Sequence, residues 1–416
     1  MLSRRDFVRG GVALVSIGTT ANSLLKGTIA FAAQHPNEVA KRGNGKILIL
    51  VQLAGGNDGL NTVVPIGDST YHSVRKAIGF KDEEILPLES GLGLAPQLTG
   101  LKGLWDGGKL ALVRGVGYPN QNYSHFKSMA IWQAGDPDLK LQNGWLGRTL
   151  DQMESQSHDP FLGFNIGAST PPELRAGKVS IPSVESVADY GFQKAGTITD
   201  TISDPRTATL MKLYEQYPAQ SPYGVLLETT AESAVSSAKL LSQVAGTYKP
   251  AVAYPKTSFA AGLSVLAEAI VGDLGMRVGH ITLGGFDTHA RETADHARLM
   301  TELDQGLTAF YEDLASHGKA DDVMVLTWSE FGRRVQENAN GGTDHGSASV
   351  MFVLGNGVKK GLYGDQPSLT KLVDNGNLSF TTDFRSVYAT VIDNWLGVPS
   401  AALFGQQWPS LGFVAA

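Results

Sequence analysis

The chain of 416 residues contains no cysteine. That absence excludes disulfides, thiolate-ligated zinc, iron–sulfur clusters and a cysteine nucleophile, and it is compatible with an oxidising compartment. Excess positive charge is also missing. With 34 Lys and Arg against 40 Asp and Glu, the formal net charge is −6, so there is no bulk attraction to nucleic acid or to anionic lipid. No apolar run is long and uninterrupted enough to form a stable membrane span, and no internal repeat or long low-complexity tract is visible. Glycine, by contrast, is abundant: 49 residues, well above the usual ~7%. Such an excess implies many tight turns and loops whose backbone lies close to a ligand. The hydrophobic fraction of 42% and charged fraction of 18% are those of a globular protein.

The N-terminus reads as an address. Two arginines in "LSRRDFVRGG" precede a short, mildly apolar stretch and then small residues in "AFAA". This is the pattern of a twin-arginine signal peptide over residues 1–32, with cleavage expected after Ala32. An amphipathic N-terminal helix is the alternative. The signal implies the twin-arginine export machinery as a partner and a periplasmic or secreted destination. The mature chain is expected over residues 33–416.

Several short apolar runs without polar alternation predict strands covered on both faces. They span Lys46 to Gly56, Lys109 to Gly117, Pro160 to Gly167, Arg277 to Phe286, Asp322 to Gly332 and Ser349 to Gly357. Helical patterns follow Ser258, lead up to Gly318, and close the domain over 384–397 with Gly397 as the C-terminal cap. Alternation of strand and helix predicts an α/β fold: a doubly wound, mostly parallel sheet flanked by helices. Residues from about 180 to 258 read as a helical insertion.

In such sheets ligands gather beyond the carboxyl ends of the strands. The segments at that edge carry Asn57 and Asp58 in "GGNDG", Ser124 and His125 in "NYSHF", Asp287 and His289 in "FDTHA", and Glu330, Arg333 and Arg334 in "SEFGRR". Asp344 and His345 lie in "NGGTDHGS", which leads into the last strand. Carboxylates and imidazoles together suit Zn, Mn or Fe, and carboxylates alone suit Mg or Ca. Each segment also has a structural explanation. "GGNDG" can be a turn, Asp287 can cap a helix starting near Thr288, and the two arginines can be solvated. His280 reads as a core histidine; His296 and His317 read as structural residues on helices.

The segments "LVQLAGGNDGLNTVVP", "YSHFKSMAIWQ", "GGFDTH", "LTWSEFGR" and "GTDHGSASVMFVLGNGVKKGLYG" resemble a bacterial family known as DUF1501, over nearly the whole mature chain. That family in turn is similar to the alkaline phosphatase superfamily, which includes sulfatases, phosphodiesterases and cofactor-independent phosphoglycerate mutases. The resemblance implies an alkaline-phosphatase-like fold and a metal-dependent hydrolase of small-molecule or polymer phosphate or sulfate esters. It implies one or two divalent ions, Zn, Mn or Mg. Asp287, His289 and His345 would hold one; Asp58 and Glu330, joined by Asp344, would hold the second. Ser124 would be the nucleophile, and His125 or Arg333 would stabilise the substrate oxyanion. One departure stands out: Phe331 occupies the place of a ligating histidine. The competing expectation is a non-catalytic binding or assembly protein on the same fold.

Overall fold

The computed structural model describes residues 45–153, 161–184, 244, 247–374 and 376–415. The expected signal peptide over 1–32, and most of the expected insertion over 180–258, lie outside the described residues.

The chain divides into two compact units. The described part of the first includes a helix at Trp145–Met153 and a parallel strand pair, Gly163–Ile166 with Ser183–Val184, in register Asn165 to Ser183. The Asp151 carboxylate accepts the amides of Gly177, Lys178 and Val179 at 2.6, 2.7 and 3.1 Å. None of the expected site residues belongs to this unit.

The second unit comprises Lys46–Gln142, Pro250–Ser264 and His280–Ala416 and contains every expected site residue. Its main strands are β1 (Ile47–Ala54), β2 (Leu110–Gly117), β3 (Val278–Gly284, from His280 onward in this unit), β4 (Val323–Trp328) and β5 (Ser349–Leu354). The sheet order is Gly361–Tyr363, β2, β5, β4, β1, β3. Leu48, Ile49, Leu50 and Val51 of β1 are all fully buried, as expected for a strand covered on both faces. β1 pairs with β4 in parallel, and Gly361–Tyr363 and Thr382–Asp383 pair with β2 in parallel. β5 reverses: it runs antiparallel to both β2 and β4.

That reversal positions the site. β2 and β4 each oppose β5, so they share one direction and their carboxyl ends share one edge with that of β1. A strand running the other way begins where its neighbours end. The loop leading into β5, which carries Asp344 and His345, is therefore delivered to the edge that receives the loops leaving β1, β2 and β4.

The flanking helices include α1 (His125–Ala134), α2 (Glu292–Ser316) and α3 (Phe384–Val391). α2 buries Leu299, Met300, Leu303, Leu307, Phe310 and Leu314 along one stripe, the helical spacing that packs a face against a sheet. α3 continues through a π turn at Ile392–Leu396 to Gly397, which takes φ +73° as expected for the cap. No helix of the described residues is long and apolar enough to cross a membrane.

Candidate metal centre

Four side chains converge at the carboxyl edge of the sheet. Asp287 and His289 follow β3, His125 opens α1 after β2, and His345 precedes β5. The Nε2 atoms of His289 and His345 are 2.9 Å apart, and each lies 3.1 Å from Asp287 Oδ1. His125 Nε2 is 3.4 Å from Asp287 Oδ2. The ligand atoms of His125, Asp287 and His345 all fall within 4.8 Å of one another. Ligands placed tetrahedrally at about 2.0–2.1 Å from a zinc ion lie roughly 3.3 Å apart, and these separations scatter around that value.

The opposite ring nitrogens are already committed. His345 Nδ1 is 2.8 Å from the carbonyl oxygen of Tyr123. A carbonyl only accepts, so Nδ1 carries the proton. Burial lowers the pKa of this histidine, which favours the uncharged ring. Its Nε2 lies 3.1 Å from Asp287 Oδ1 and 2.9 Å from His289 Nε2. His125 Nδ1 lies 2.7 Å from Glu330 Oε1, and His289 Nδ1 lies 3.4 Å from Asp344 Oδ1. An oxygen behind each imidazole, with Nε2 turned to the other side chains of the cluster, is the arrangement that orients metal-bound histidines. His125, Asp287 and His345 could together hold a divalent cation, with His289 Nε2 against the last two. The side chains of Asp287 and His289 are 48% and 43% exposed, so the centre opens to solvent.

Sequence reasoning placed several residues here in other roles. Glu330 is buried, accepts the Gly55 amide at 3.0 Å and stands behind His125. Asp344 stands behind His289, braced by Asn338 Nδ2 at 3.3 Å. Each stands against the Nδ1 of a histidine. His125, expected to stabilise an oxyanion, has the placement of a ligand.

The donors of Arg333 are committed within the protein. Its buried side chain donates to the carbonyls of Gly56, Thr343 and Phe286 at 2.7, 2.9 and 2.8 Å, to that of Gly55, and to Asp287 Oδ1 at 2.8 Å. It clamps three loops together and fixes Asp287. Burial opposes ionisation of Asp287, and Arg333 more than offsets it, lowering the carboxyl to about 2.

Asp58 departs furthest from expectation. It is buried, caps the short helix Gly59–Thr62 through the Leu60 amide, and forms a two-pronged ion pair with buried Arg75. Burial raises its pKa, but the charge of Arg75 prevails and holds it well below the carboxylate range. Arg75 takes both oxygens of Asp58, whereas Arg333 holds only Oδ1 of Asp287. Arg75 also donates to the carbonyls of Arg334 and Val335, each at 2.9 Å. Nothing in "YHSVRKAIG" marked this arginine in the sequence.

Asp287 caps no helix, since α2 begins only at Glu292. Ser124 is exposed at the start of α1, and its hydroxyl makes no capping bond. It lies between Tyr123, whose carbonyl holds His345, and His125. Phe331 is fully buried, with its ring centroid 4.9 Å from that of His125 and 4.6 Å from that of His345. It supplies no ligand but forms the wall against which two of them rest. The glycine turn serves the same packing: Gly55 takes φ +123°, and a Cβ there would stand 2.4 Å from the amide nitrogen of Asp287.

A family model described as "Protein of unknown function (DUF1501)" matches residues 110–403. Comparison with curated proteins gives no match. Among solved structures, the chain is similar to Ps i-CgsB at 10% identity and TM-score 0.39, covering 87% of this chain and 72% of that one. It is similar to the lipoteichoic acid synthase LtaP from Listeria monocytogenes at 10% identity and TM-score 0.37, covering 88% and 78%. It is also similar to the PsFucS1 sulfatase from Pseudoalteromonas sp. at 12% identity and TM-score 0.34, covering 89% and 71%. Likenesses this distant say nothing about the activity of this chain.

Proposed function

We propose that this chain, which belongs to the DUF1501 family, is an exported hydrolase of phosphate or sulfate esters that holds one divalent ion through His125, Asp287, His289 and His345. The observation that carries the metal reading is the convergence of ligand atoms: those of His125, Asp287 and His345 lie within 4.8 Å of one another, with His289 Nε2 beside Asp287 and His345. The ion, Zn or Mn by its ligand types and in competition with Mg, would act as a Lewis acid and lower the pKa of a hydroxyl beside it.

The chain's own residues would do the rest. Arg333 and Glu330 keep Asp287 and His125 in place without rearrangement during reaction. Ser124 would supply the nucleophile. Its oxygen would bond to phosphorus or sulfur as the alcohol leaves, giving a serine ester. Water would then cleave that ester, releasing phosphate or sulfate and restoring the serine hydroxyl. The test is hydrolysis of p-nitrophenyl phosphate, bis-p-nitrophenyl phosphate and p-nitrophenyl sulfate by protein loaded with Zn, Mn or Mg. We expect turnover that disappears in Ser124→Ala while the metal stays bound. No turnover of any ester with any of these metals would remove the catalytic reading.

A second reading, non-catalytic binding of a polymer or of a partner exported with it, is favoured by one observation. Asp58, which a second ion would need, is taken by Arg75. Metal uptake without hydrolysis, and unchanged by Ser124→Ala, would select it. Export by the twin-arginine route predicts that Arg4→Lys with Arg5→Lys keeps the precursor in the cytoplasm.

A further inference from the structure

His125 opens α1, and Ser128 stands three residues further along the helix, the spacing that puts two side chains on one face. Ser128 is fully buried. A helical serine can return its hydroxyl to a carbonyl of the preceding turn. Ser128 donates instead to the main-chain carbonyl of Glu330, just beyond β4.

A carbonyl only accepts, so the single proton of Ser128 Oγ is committed there. Tyr118 Oη lies 2.8 Å from the same Oγ and must therefore donate to it. Tyr118 Oη in turn accepts the Asn122 amide at 3.1 Å, and Gln121 Nε2 donates to Ser128 Oγ at 3.2 Å. Every bond from Asn122 through Tyr118 and Ser128 to Glu330 thus has one direction. Tyr118 directly follows β2 and is buried, with its ring edge-on to Phe384 of α3 at 6.0 Å between centroids. Burial raises the pKa of the phenol, which keeps the donated proton in place.

Glu330 therefore holds the first turn of α1 at two points. Its carbonyl takes Ser128, and its Oε1 lies 2.7 Å from His125 Nδ1. The Gly55 amide fixes that carboxylate at 3.0 Å. One contact sets a distance. Two contacts on the same helix face also set the rotation of the helix, and with it the place of His125 Nε2, 3.4 Å from Asp287 Oδ2.

We propose that Ser128 and Tyr118 are positioning residues for the metal centre: they lock the first turn of α1 onto the backbone of Glu330, so that the carboxylate of that same residue meets His125 and the imidazole presents Nε2 to Asp287. The assignment rests on the metal reading given above. It gives the run from Tyr118 to Ser128 a task that its polar composition did not disclose.

Ser128→Ala removes the bond to Glu330. Tyr118→Phe keeps the ring and its packing and removes only the donor to Ser128. The experiment measures Zn and Mn affinity by calorimetric titration for both variants, for His125→Ala and for each double variant with His125→Ala. Affinity should fall about 10- to 100-fold in Ser128→Ala, the usual cost of removing the support behind a ligand, and by less in Tyr118→Phe. Neither should cost anything further once His125 is gone, because both act through that imidazole. Losses that add in full, or native affinity in Ser128→Ala, would overturn the proposal. If Ser128→Ala does not fold, the cycle with Tyr118→Phe decides it. If the native chain binds neither metal, the metal reading fails on its own account, and the positioning is then read from imidazole nitrogen NMR. The His125 signals, identified by their loss in His125→Ala, should shift in Ser128→Ala and Tyr118→Phe, while those of His72, held by Asp82 at 3.0 Å, stay in place. Unmoved His125 signals, or equal shifts at both histidines, would contradict the positioning role.

Discussion

Asp58 and Asp287 both follow strands at the same sheet edge, and both looked like metal ligands. Their surroundings divide them. Asp58 is buried and paired with a guanidinium at both oxygens. Asp287 is half-exposed and ringed by three imidazoles whose Nε2 atoms turn toward it. A buried carboxylate needs a fixed counter-charge, and Arg75 supplies one permanently. Asp287 shares only Oδ1 with Arg333, and in the proposed function a cation from solution completes it. The same residue type thus serves the frame in one place and the chemistry in the other.

The comparison can be broken most forcefully at Arg75. Arg75→Ala leaves Asp58 buried and unpaired, and removing one partner of a buried pair costs roughly 3–5 kcal/mol. Denaturant unfolding should show that loss, and added Zn or Mn should not restore it. Restoration by metal would mean that Asp58 is a ligand after all. Next in size, Asp287→Ala and His345→Ala should keep the fold, because these side chains are partly exposed. Each should weaken metal binding by more than ~100-fold, beyond the range for supporting residues, as measured by calorimetric titration. Glu330→Gln removes the charge behind His125 and should cost about 10- to 100-fold in the same titration.

The smallest effect is a pH dependence. The folded-state pKa of Glu292 is raised from 4.5 to about 9, so the folded chain keeps a proton that the unfolded chain releases. Its stabilising contribution is complete below about pH 4.5 and declines as the pH rises toward 9. Native protein should therefore lose thermal stability relative to Glu292→Gln between pH 5 and 9. A gap that stays constant across that range would place the proton elsewhere.

The sheet was largely legible because strands buried on both faces read as continuous apolar runs: Lys46 to Gly56 and Asp322 to Gly332 both contain the observed strands. The edge where residues collect followed from the same runs. The division of labour among those residues was not legible. Glu330 and Asp344 have ligand chemistry, and only the oxygens found behind each imidazole separate a ligand from its support. Arg75 left no signal, because its role depends on meeting Asp58, 17 residues away, in the folded chain. Phe331 looked like a lost ligand and is the wall that packs against His125 and His345.

The central claim is that one cation binds at Asp287 and none at Asp58. Its most direct test is metal stoichiometry after dialysis against Zn or Mn, counted by plasma mass spectrometry for the native chain and for Asp287→Ala. The account predicts one ion per native chain and none in the variant. Two ions per chain, none, or an ion retained without Asp287 would contradict it.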